Sequence, residues 1–151
     1  MSNASLKAVV PLLLLASCVT TQSTHYWCTP NSLVAVRVEE ALQQNPLATN
    51  QEIRVTNLGL APEVSHHIVQ VRTKERLHTH KEHDLTVFLY RGNGRMTVGS
   101  QSFPIRTGDS LYVPRGVVHT FENLGKTPAV AIVIFTPGFD GKDTIPAEEA
   151  K

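Results

Sequence analysis

The chain has 151 residues, of which 14 are basic and 13 acidic, so its net charge is +1. This length is typical of a single domain with its own hydrophobic core. Because there is no basic excess to neutralise phosphates, the composition argues against nucleic acid as a partner and against electrostatic attraction to a membrane surface.

The N-terminal segment predicts export and a lipid anchor. Lys7 precedes an apolar run over residues 8–16, which is too short to span a bilayer but suits the centre of a secretory signal. The run ends in Leu15-Ala16-Ser17-Cys18, which resembles a bacterial lipobox, where cleavage precedes a cysteine that is then acylated. We expect residues 1–17 to be a signal peptide and Cys18 to carry the lipid. The alternatives are an ordinary signal peptide with a chance cysteine, or a buried N-terminal strand.

This interpretation places the protein in the cell envelope. Val19 follows the cysteine, where an Asp would tend to retain a lipoprotein in the inner membrane. We therefore expect an anchor that faces the periplasm if the host is Gram-negative, with the lipid as the only membrane contact. Removal of the signal peptide takes away Lys7 alone among the charges, which leaves basic and acidic side chains in equal number.

Residues 18–50 are predicted to form a polar tether followed by a short helix. Thr, Ser, Gln and Asn dominate the first part of this segment, as in flexible linkers. Apolar residues at three- and four-residue steps predict a helix over about 33–44, which Asn45-Pro46 ends. Cys28 would be a free thiol, and the sequence leaves open whether it is buried or bridges two chains.

Residues 51–140 predict an all-β barrel, and residues 141–151 a flexible tail. Short β-prone runs are separated by turn signals such as Gly92-Asn93-Gly94 and Gly108-Asp109. Many short strands punctuated in this way are typical of sandwiches, barrels and jelly rolls. The predicted strands are 52–58, 65–72, 76–80, 84–91, 95–99, 101–106, 110–113, 118–123 and 129–136.

Two histidine clusters in this region predict one metal site. His78 and His80 alternate with Thr79, so in a strand both face the same side, and Asp84 joins them if the extended geometry continues. His119 would arrive from a separate strand. Imidazoles together with a carboxylate are the ligand set of a non-haem metal centre for Fe, Mn, Ni or Zn.

The fourth ligand has alternatives. A β-bulge near the ligand strand would reverse the faces, so that His83 would bind the metal and Asp84 would accept its hydrogen bond. Glu82 is the third choice because it also has the parity of His80. Four protein ligands would leave an octahedral ion two open positions, whereas a tetrahedral zinc would be closed.

Aromatic side chains and a further histidine are expected around the same pocket. Phe121 has the parity of His119, and Phe88 and Tyr112 face the pocket if their parities survive the turns. His66 and His67 are adjacent on one strand, so alternation puts one of them inward, and we assign His67 to the pocket. Such a histidine could orient a ligand or shuttle protons, or could equally be a polar residue of the rim.

The two clusters resemble the two characteristic motifs of the cupin family. The second motif, G-x5-P-x-G-x2-H-x3-N, is matched at every fixed position, by Gly108, Pro114, Gly116, His119 and Asn123. The first motif, G-x5-H-x-H-x3or4-E-x6-G, is matched in part. It has His78 and His80, but Arg72 replaces the leading Gly, Asp84 replaces the Glu, and Gly92 comes one residue late.

The resemblance covers about residues 51–139 and implies a jelly-roll barrel, one divalent metal ion on His78, His80, Asp84 and His119, a small-molecule ligand or substrate, and a homodimer. Cupins include dioxygenases, isomerases, decarboxylases and sugar binders, so the fold does not name the reaction. The leading hypothesis is a metal-dependent enzyme with dioxygenase-like chemistry. The alternative is a non-catalytic lipoprotein that binds a metal or a small ligand.

Overall fold

The computed structural model describes residues 22–148, so the predicted signal peptide and the lipidation site at Cys18 lie outside the described residues. Within this range there is no helix long and apolar enough to cross a membrane. The elements of the described chain are β1 (Thr24–Thr29), β2 (Ser32–Arg37), α1 (Val38–Gln44), β3 (Ile53–Leu60), β4 (Ser65–Val71), β5 (His78–Thr79), β6 (Asp84–Arg91), β7 (Asn93–Val98), β8 (Gln101–Arg106), β9 (Ser110–Val113), β10 (His119–Asn123), β11 (Ala129–Thr136) and β12 (Ile145–Pro146).

Ten of these strands form two five-stranded antiparallel sheets. One sheet has the order β12-β5-β10-β7-β8 and the other the order β3-β4-β11-β6-β9. The chain passes from one sheet to the other several times, as in a jelly roll, and the sheets enclose a common interior. The predicted all-β jelly-roll fold is confirmed.

Turn chemistry explains why most strand boundaries lie within two residues of those predicted from the sequence. Gly92 adopts a φ of 112°, which is open to glycine but strained for other residues. At Gly94 the reason is space instead, since a Cβ atom there would clash with the Glu122 carbonyl oxygen. These glycines let β7 turn back and approach β10 closely.

The N-terminal part of the predicted helix is wrong. Residues 32–37 form β2, which pairs with β1 from Thr24↔Arg37 to Thr29↔Ser32, and only Val38–Gln44 is helical. The periodic apolar residues that suggested one continuous helix belong to two elements. Leu33 is 65% exposed on the hairpin, whereas Val38 is buried. Pairing with β1 satisfies the backbone of this segment, which a sequence pattern could not reveal.

The C-terminal segment also differs from the flexible tail that the sequence predicted. Within residues 141–148, β12 pairs with β5, the strand that carries the first histidine, through Ile145↔Thr79 and Pro146↔His78. The Ala147 N–H donates to the Leu77 carbonyl oxygen at 2.9 Å. This part of the chain is therefore an additional edge strand beside the candidate site.

Two hydrophobic clusters hold the sheets and the helix. The larger cluster lies between the two sheets and includes Leu89, Met96, Val113 and Phe121. In the smaller cluster, the apolar face of α1 covers the outer side of β4 and β11, where Ile68 and Val130 are almost fully buried. Helix and sheet thus bury both faces of these central strands, which accounts for the nearly continuous apolar sequence of β11.

Asn123 joins the end of β10 to two neighbouring loops. Its Nδ2 atom donates to the carbonyl oxygens of Arg72 and Thr127, both at 2.8 Å, and its Oδ1 atom accepts from the Gly125 N–H at 2.9 Å. The side chain is only 9% exposed, so these bonds replace ones that water would otherwise make.

Asn123→Ala is expected to lower the free energy of unfolding by about 3 kcal/mol, because it leaves several buried backbone groups without partners. Urea denaturation followed by circular dichroism measures this change. The matched control is Asn31→Ala in the exposed β1–β2 turn, where the loss should stay within about 0.5 kcal/mol. Equal effects of the two substitutions would contradict the structural role of Asn123.

Candidate metal centre

Three histidines from neighbouring segments of one sheet converge on a single point. His119 is the first residue of β10 and pairs directly with His78 on β5, while His80 follows β5 immediately. One ring nitrogen of each histidine lies within 4.8 Å of those of the other two. This spacing allows one ion to contact three imidazoles at the usual metal–nitrogen distances of about 2.0–2.1 Å.

The backbone selects which ring nitrogen faces this point. The Nδ1 atoms of His78, His80 and His119 each donate to a main-chain carbonyl oxygen, at 2.7, 2.5 and 2.9 Å. The acceptors are Arg76, Asp143 and Val117, in that order. Because Nδ1 carries the proton in each ring, Nε2 is left with the lone pair that a metal needs. The donor set therefore fits a divalent ion.

Burial keeps these rings neutral. It lowers the pKa of His119 to about 4, and although the hydrogen bond to Val117 opposes this shift, the neighbouring His78 and His80 add to it. The pKa values of His78 and His80 are also lowered, again chiefly by burial. The neutral imidazole is the form that binds metal, so the free site is ready for an ion at neutral pH.

The predicted fourth ligand, Asp84, is not brought to the triad. Its carboxylate accepts a hydrogen bond from the Arg115 guanidinium at 2.6 Å and another from the Arg115 backbone N–H at 2.8 Å. These hydrogen bonds hold the pKa of Asp84 well below its usual range. The assignment of Asp84 as a ligand is corrected because alternation does not continue from His80. The chain bends at residues 81–82 and enters the other sheet at β6.

The alternative ligand, His83, is occupied elsewhere. Its Nδ1 atom lies 2.6 Å from a carboxylate oxygen of Asp143, and its Nε2 atom lies 3.3 Å from the Gly138 carbonyl oxygen. The described residues therefore offer three converging histidines and no carboxylate among them. Glu82, the third choice, contributes a backbone N–H to Asp143 and does not join the triad.

Asp143 organises the turn that carries His80. Its carboxylate accepts the backbone N–H groups of Lys81 and Glu82 at 2.9 and 2.8 Å, while its main-chain oxygen accepts from His80. Burial raises the pKa of Asp143, but the bonds from His83 and the two N–H groups outweigh it and bring the pKa to about 2. The sequence predicted only a flexible tail here, because no motif links residue 143 to residue 80.

The triad opens into a cavity of about 450 Å³ inside the barrel. Phe121 lines this cavity. Phe88 and Tyr112 do not, since they are 44% and 59% exposed on the outer surface. Their neighbours Val87 and Leu111 face inward instead. The prediction that Phe88 and Tyr112 line the pocket is therefore wrong by one residue in each strand.

His67 is buried, but it does not line the cavity as predicted. Its Nε2 atom bonds the Ser65 hydroxyl at 2.8 Å, and its ring meets Phe135 edge-on at 5.4 Å. Phe135 and Phe139 stack at 4.4 Å and contact His80, so they form the wall that separates His67 from the cavity. Sequence reasoning missed both phenylalanines, because nothing local marks a residue of β11 or the following loop as a neighbour of His80.

Glu75 is a second residue that sequence reasoning missed. It lines the cavity three residues before His78, and burial raises its pKa to about 7, against a smaller opposing effect of the Phe121 backbone. The sequence gives no signal for this, because Glu75 lies between Lys74 and Arg76 and has the appearance of a solvated charge run.

The fold and site define a jelly-roll barrel with three converging histidines that could hold a metal ion, and comparison with known proteins identifies the family. Residues 65–135 match the Cupin domain model. An uncharacterised protein of Aquifex aeolicus is 32% identical over 111 residues, which cover 74% of this chain and 90% of that protein. The chain belongs to the cupin family and is a small cupin.

Solved structures agree on the fold. An uncharacterised double-stranded β-helix protein of Klebsiella pneumoniae has a TM-score of 0.61 at 18% identity, covering 72% of this chain and 95% of that one. A single-residue variant of the Streptomyces protein PAC13, solved with uridine, has a TM-score of 0.55 at 18% identity, covering 64% of this chain and 78% of that one. At these identities the likeness is one of fold.

Asp143→Ala is expected to weaken metal binding about 10- to 100-fold, because the turn carrying His80 loses the carboxylate that holds it. Isothermal titration with Zn(II) measures the affinity. The matched control is Asp140→Ala, since Asp140 is exposed and its hydrogen bond and ion pair within residues 22–148 both go to Lys142. Unchanged affinity in Asp143→Ala, or an equal loss in the control, would contradict this role for Asp143.

Proposed function

We propose that this protein holds one divalent metal ion on His78, His80 and His119 and uses it to act on a small organic molecule in the barrel. The observation that carries the proposal is the shared orientation of the three rings, each with Nδ1 bonded to a carbonyl oxygen. In each ring a backbone hydrogen bond holds Nδ1 and leaves Nε2 available at the same point. Three such constraints are costly to arrange unless an ion binds at that point.

Three protein donors favour catalysis over a closed structural site. An octahedral ion would keep three open positions and a tetrahedral ion one. When bound, such an ion would supply Lewis-acid polarisation or activation of a small ligand. The metal candidates remain Fe, Mn, Ni and Zn, because three imidazoles suit all of them.

Dioxygenase-like chemistry is the first candidate reaction. The cavity next to the triad is walled mainly by apolar side chains, which admit an apolar gas such as oxygen and exclude the water that would quench reactive species. His78, His80 and His119 would hold the ion, while Phe121, Phe135 and Phe139 would confine the substrate beside it.

Proton-transfer chemistry, of the isomerase type, is the second candidate, and Glu75 favours it. A carboxyl group with a pKa of about 7 can both give and take a proton at neutral pH. Its presence in the same cavity as the triad also favours an enzyme over a non-catalytic binder. The small-molecule part of the proposal is consistent with the uridine in the related Streptomyces structure.

The purified chain, loaded anaerobically with Fe(II), is expected to hold about one ion and to bind nitric oxide, an oxygen surrogate that needs an open position. Elemental analysis and electron paramagnetic resonance measure the two properties. His80→Ala should lose most of the metal and the nitric oxide signal while staying a folded β-protein, whereas His25→Ala, on the β1–β2 hairpin, should keep both. Full metal content in His80→Ala would refute the ligand set, and metal without nitric oxide binding would favour the non-catalytic binder.

We also propose that the protein is exported and lipid-anchored in the cell envelope through Cys18, facing the periplasm in a Gram-negative host. The support is the apolar run over residues 8–16 that ends in a lipobox-like Leu15-Ala16-Ser17-Cys18.

Metabolic labelling with an alkynyl fatty acid is expected to label the wild-type protein and the Cys28→Ser variant but not Cys18→Ser. Cys28 is exposed on the hairpin and serves as the matched control. Labelling that persists in Cys18→Ser, or a wild-type protein that stays unlabelled in the cytosol, would refute the anchor and leave the metal centre unaffected.

A further inference from the structure

The interior of this barrel is hollow where many small barrels are filled. The residues that would form the packed core instead line the 450 Å³ cavity, among them Val69, Leu89, Met96, Ile105, Ala131 and Val133. A small eight-stranded barrel commonly fills its interior with such side chains. A cavity of this volume lies within the range of about 300–1,000 Å³ typical of small-molecule sites.

Polar groups are confined to a small part of the cavity wall. Five of the polar or charged lining residues come from the single segment 74–80, and His119 lies on the adjacent strand β10. The other polar lining residues are Glu52, which accepts the Thr73 hydroxyl beside that segment, and Thr144, while the rest of the wall consists mainly of aliphatic and aromatic side chains. A sugar or sugar phosphate placed there would lose the water bonded to its hydroxyl groups and gain few hydrogen bonds, which is unfavourable.

Glu75 belongs to this polar segment of the wall, and its backbone is fixed. Its N–H donates to the Phe121 carbonyl oxygen at 2.9 Å, and its carbonyl oxygen accepts the Thr120 hydroxyl at 2.7 Å. Both partners are on β10, directly after His119. The Phe121 backbone also hydrogen-bonds the carboxyl group, which opposes the rise in its pKa, and among residues 22–148 no side chain forms an ion pair with it. A cavity-lining carboxyl group with no side-chain partner has lone pairs left to bond a ligand.

We infer that the cavity takes a hydrophobic organic molecule, aromatic or aliphatic, with a hydroxyl or carbonyl oxygen that Glu75 bonds. The apolar skeleton would lie between the two sheets, and its polar end would lie toward the triad. The inference rests on the proposed function in that the same molecule would be the substrate of the metal centre. Glu75 is thereby a residue that touches the substrate and selects oxygenated over plain hydrocarbon ligands.

Three probes test this ligand class on the full chain, with and without one equivalent of Zn(II): 2-naphthol, naphthalene and glucose 6-phosphate. The first two share a skeleton and differ only in the hydroxyl group. We expect 2-naphthol to bind about tenfold more tightly than naphthalene, which corresponds to one hydrogen bond, and glucose 6-phosphate to bind most weakly. Ligand-induced shifts in the melting temperature and titration calorimetry measure the affinities.

Variants separate the cavity from the carboxyl group. Ala131→Phe should fill the cavity and abolish binding of both naphthalene compounds, whereas Ala35→Phe, on the exposed strand β2, should not. Glu75→Leu should remove the preference for 2-naphthol, Glu75→Gln should retain it because an amide still bonds a hydroxyl group, and exposed Glu63→Leu should leave it unchanged.

The outcomes distinguish the two proposals. Metal binding without binding of either naphthalene compound, or tighter binding of glucose 6-phosphate, would overturn the ligand class and leave the metal centre intact. Binding of 2-naphthol in a chain that takes up no metal would support the ligand class and overturn the proposed function. A preference for 2-naphthol that survives in Glu75→Leu would overturn the role of Glu75.

Discussion

The pairing of His78 with His119 across two antiparallel strands is the constraint on which the candidate metal centre depends. Side chains directly opposite in such a pair are close neighbours, and here the two ring centroids are 4.3 Å apart. His80 joins them because it lies two residues after His78, on the same face, before the chain bends at residues 81–82. A shift of one residue in this register would turn one ring to the opposite face and dismantle the site.

The structure around this pair removes freedom from the rings. Carbonyl oxygens hold the three Nδ1 atoms by hydrogen bonds. Phe135 and Phe139 pack against His80, and Asp143 holds the turn that follows His80. Asp143 and Phe139 lie outside residues 65–135, the part of the chain that matches the cupin domain. The segment that follows the matched domain therefore completes the surroundings of the candidate metal centre.

Prediction from the sequence succeeded where the signal is local. Glycine-rich turns and alternating apolar residues located most strands, since the backbone needs of a turn can be read from adjacent residues. The prediction was wrong for Asp84, because it assumed that side chains keep alternating through the bend that follows His80. It was also wrong for Phe88 and Tyr112, because the turns before them shift which residues of the strand face the interior. The predicted helix over residues 33–44 was too long, because residues 32–37 pair as a strand with β1, a segment that the helical pattern does not include.

The sequence by itself determined the jelly-roll class and nominated His78, His80 and His119, because turn residues and motif spacing are properties of neighbouring positions. Only the tertiary structure decided that Asp84 pairs with Arg115, that Asp143 supports His80 from 63 residues away, and that Glu75 faces an apolar cavity. Those facts depend on which strands lie side by side and on how far water is excluded between them. Neither is encoded in any short stretch of the chain.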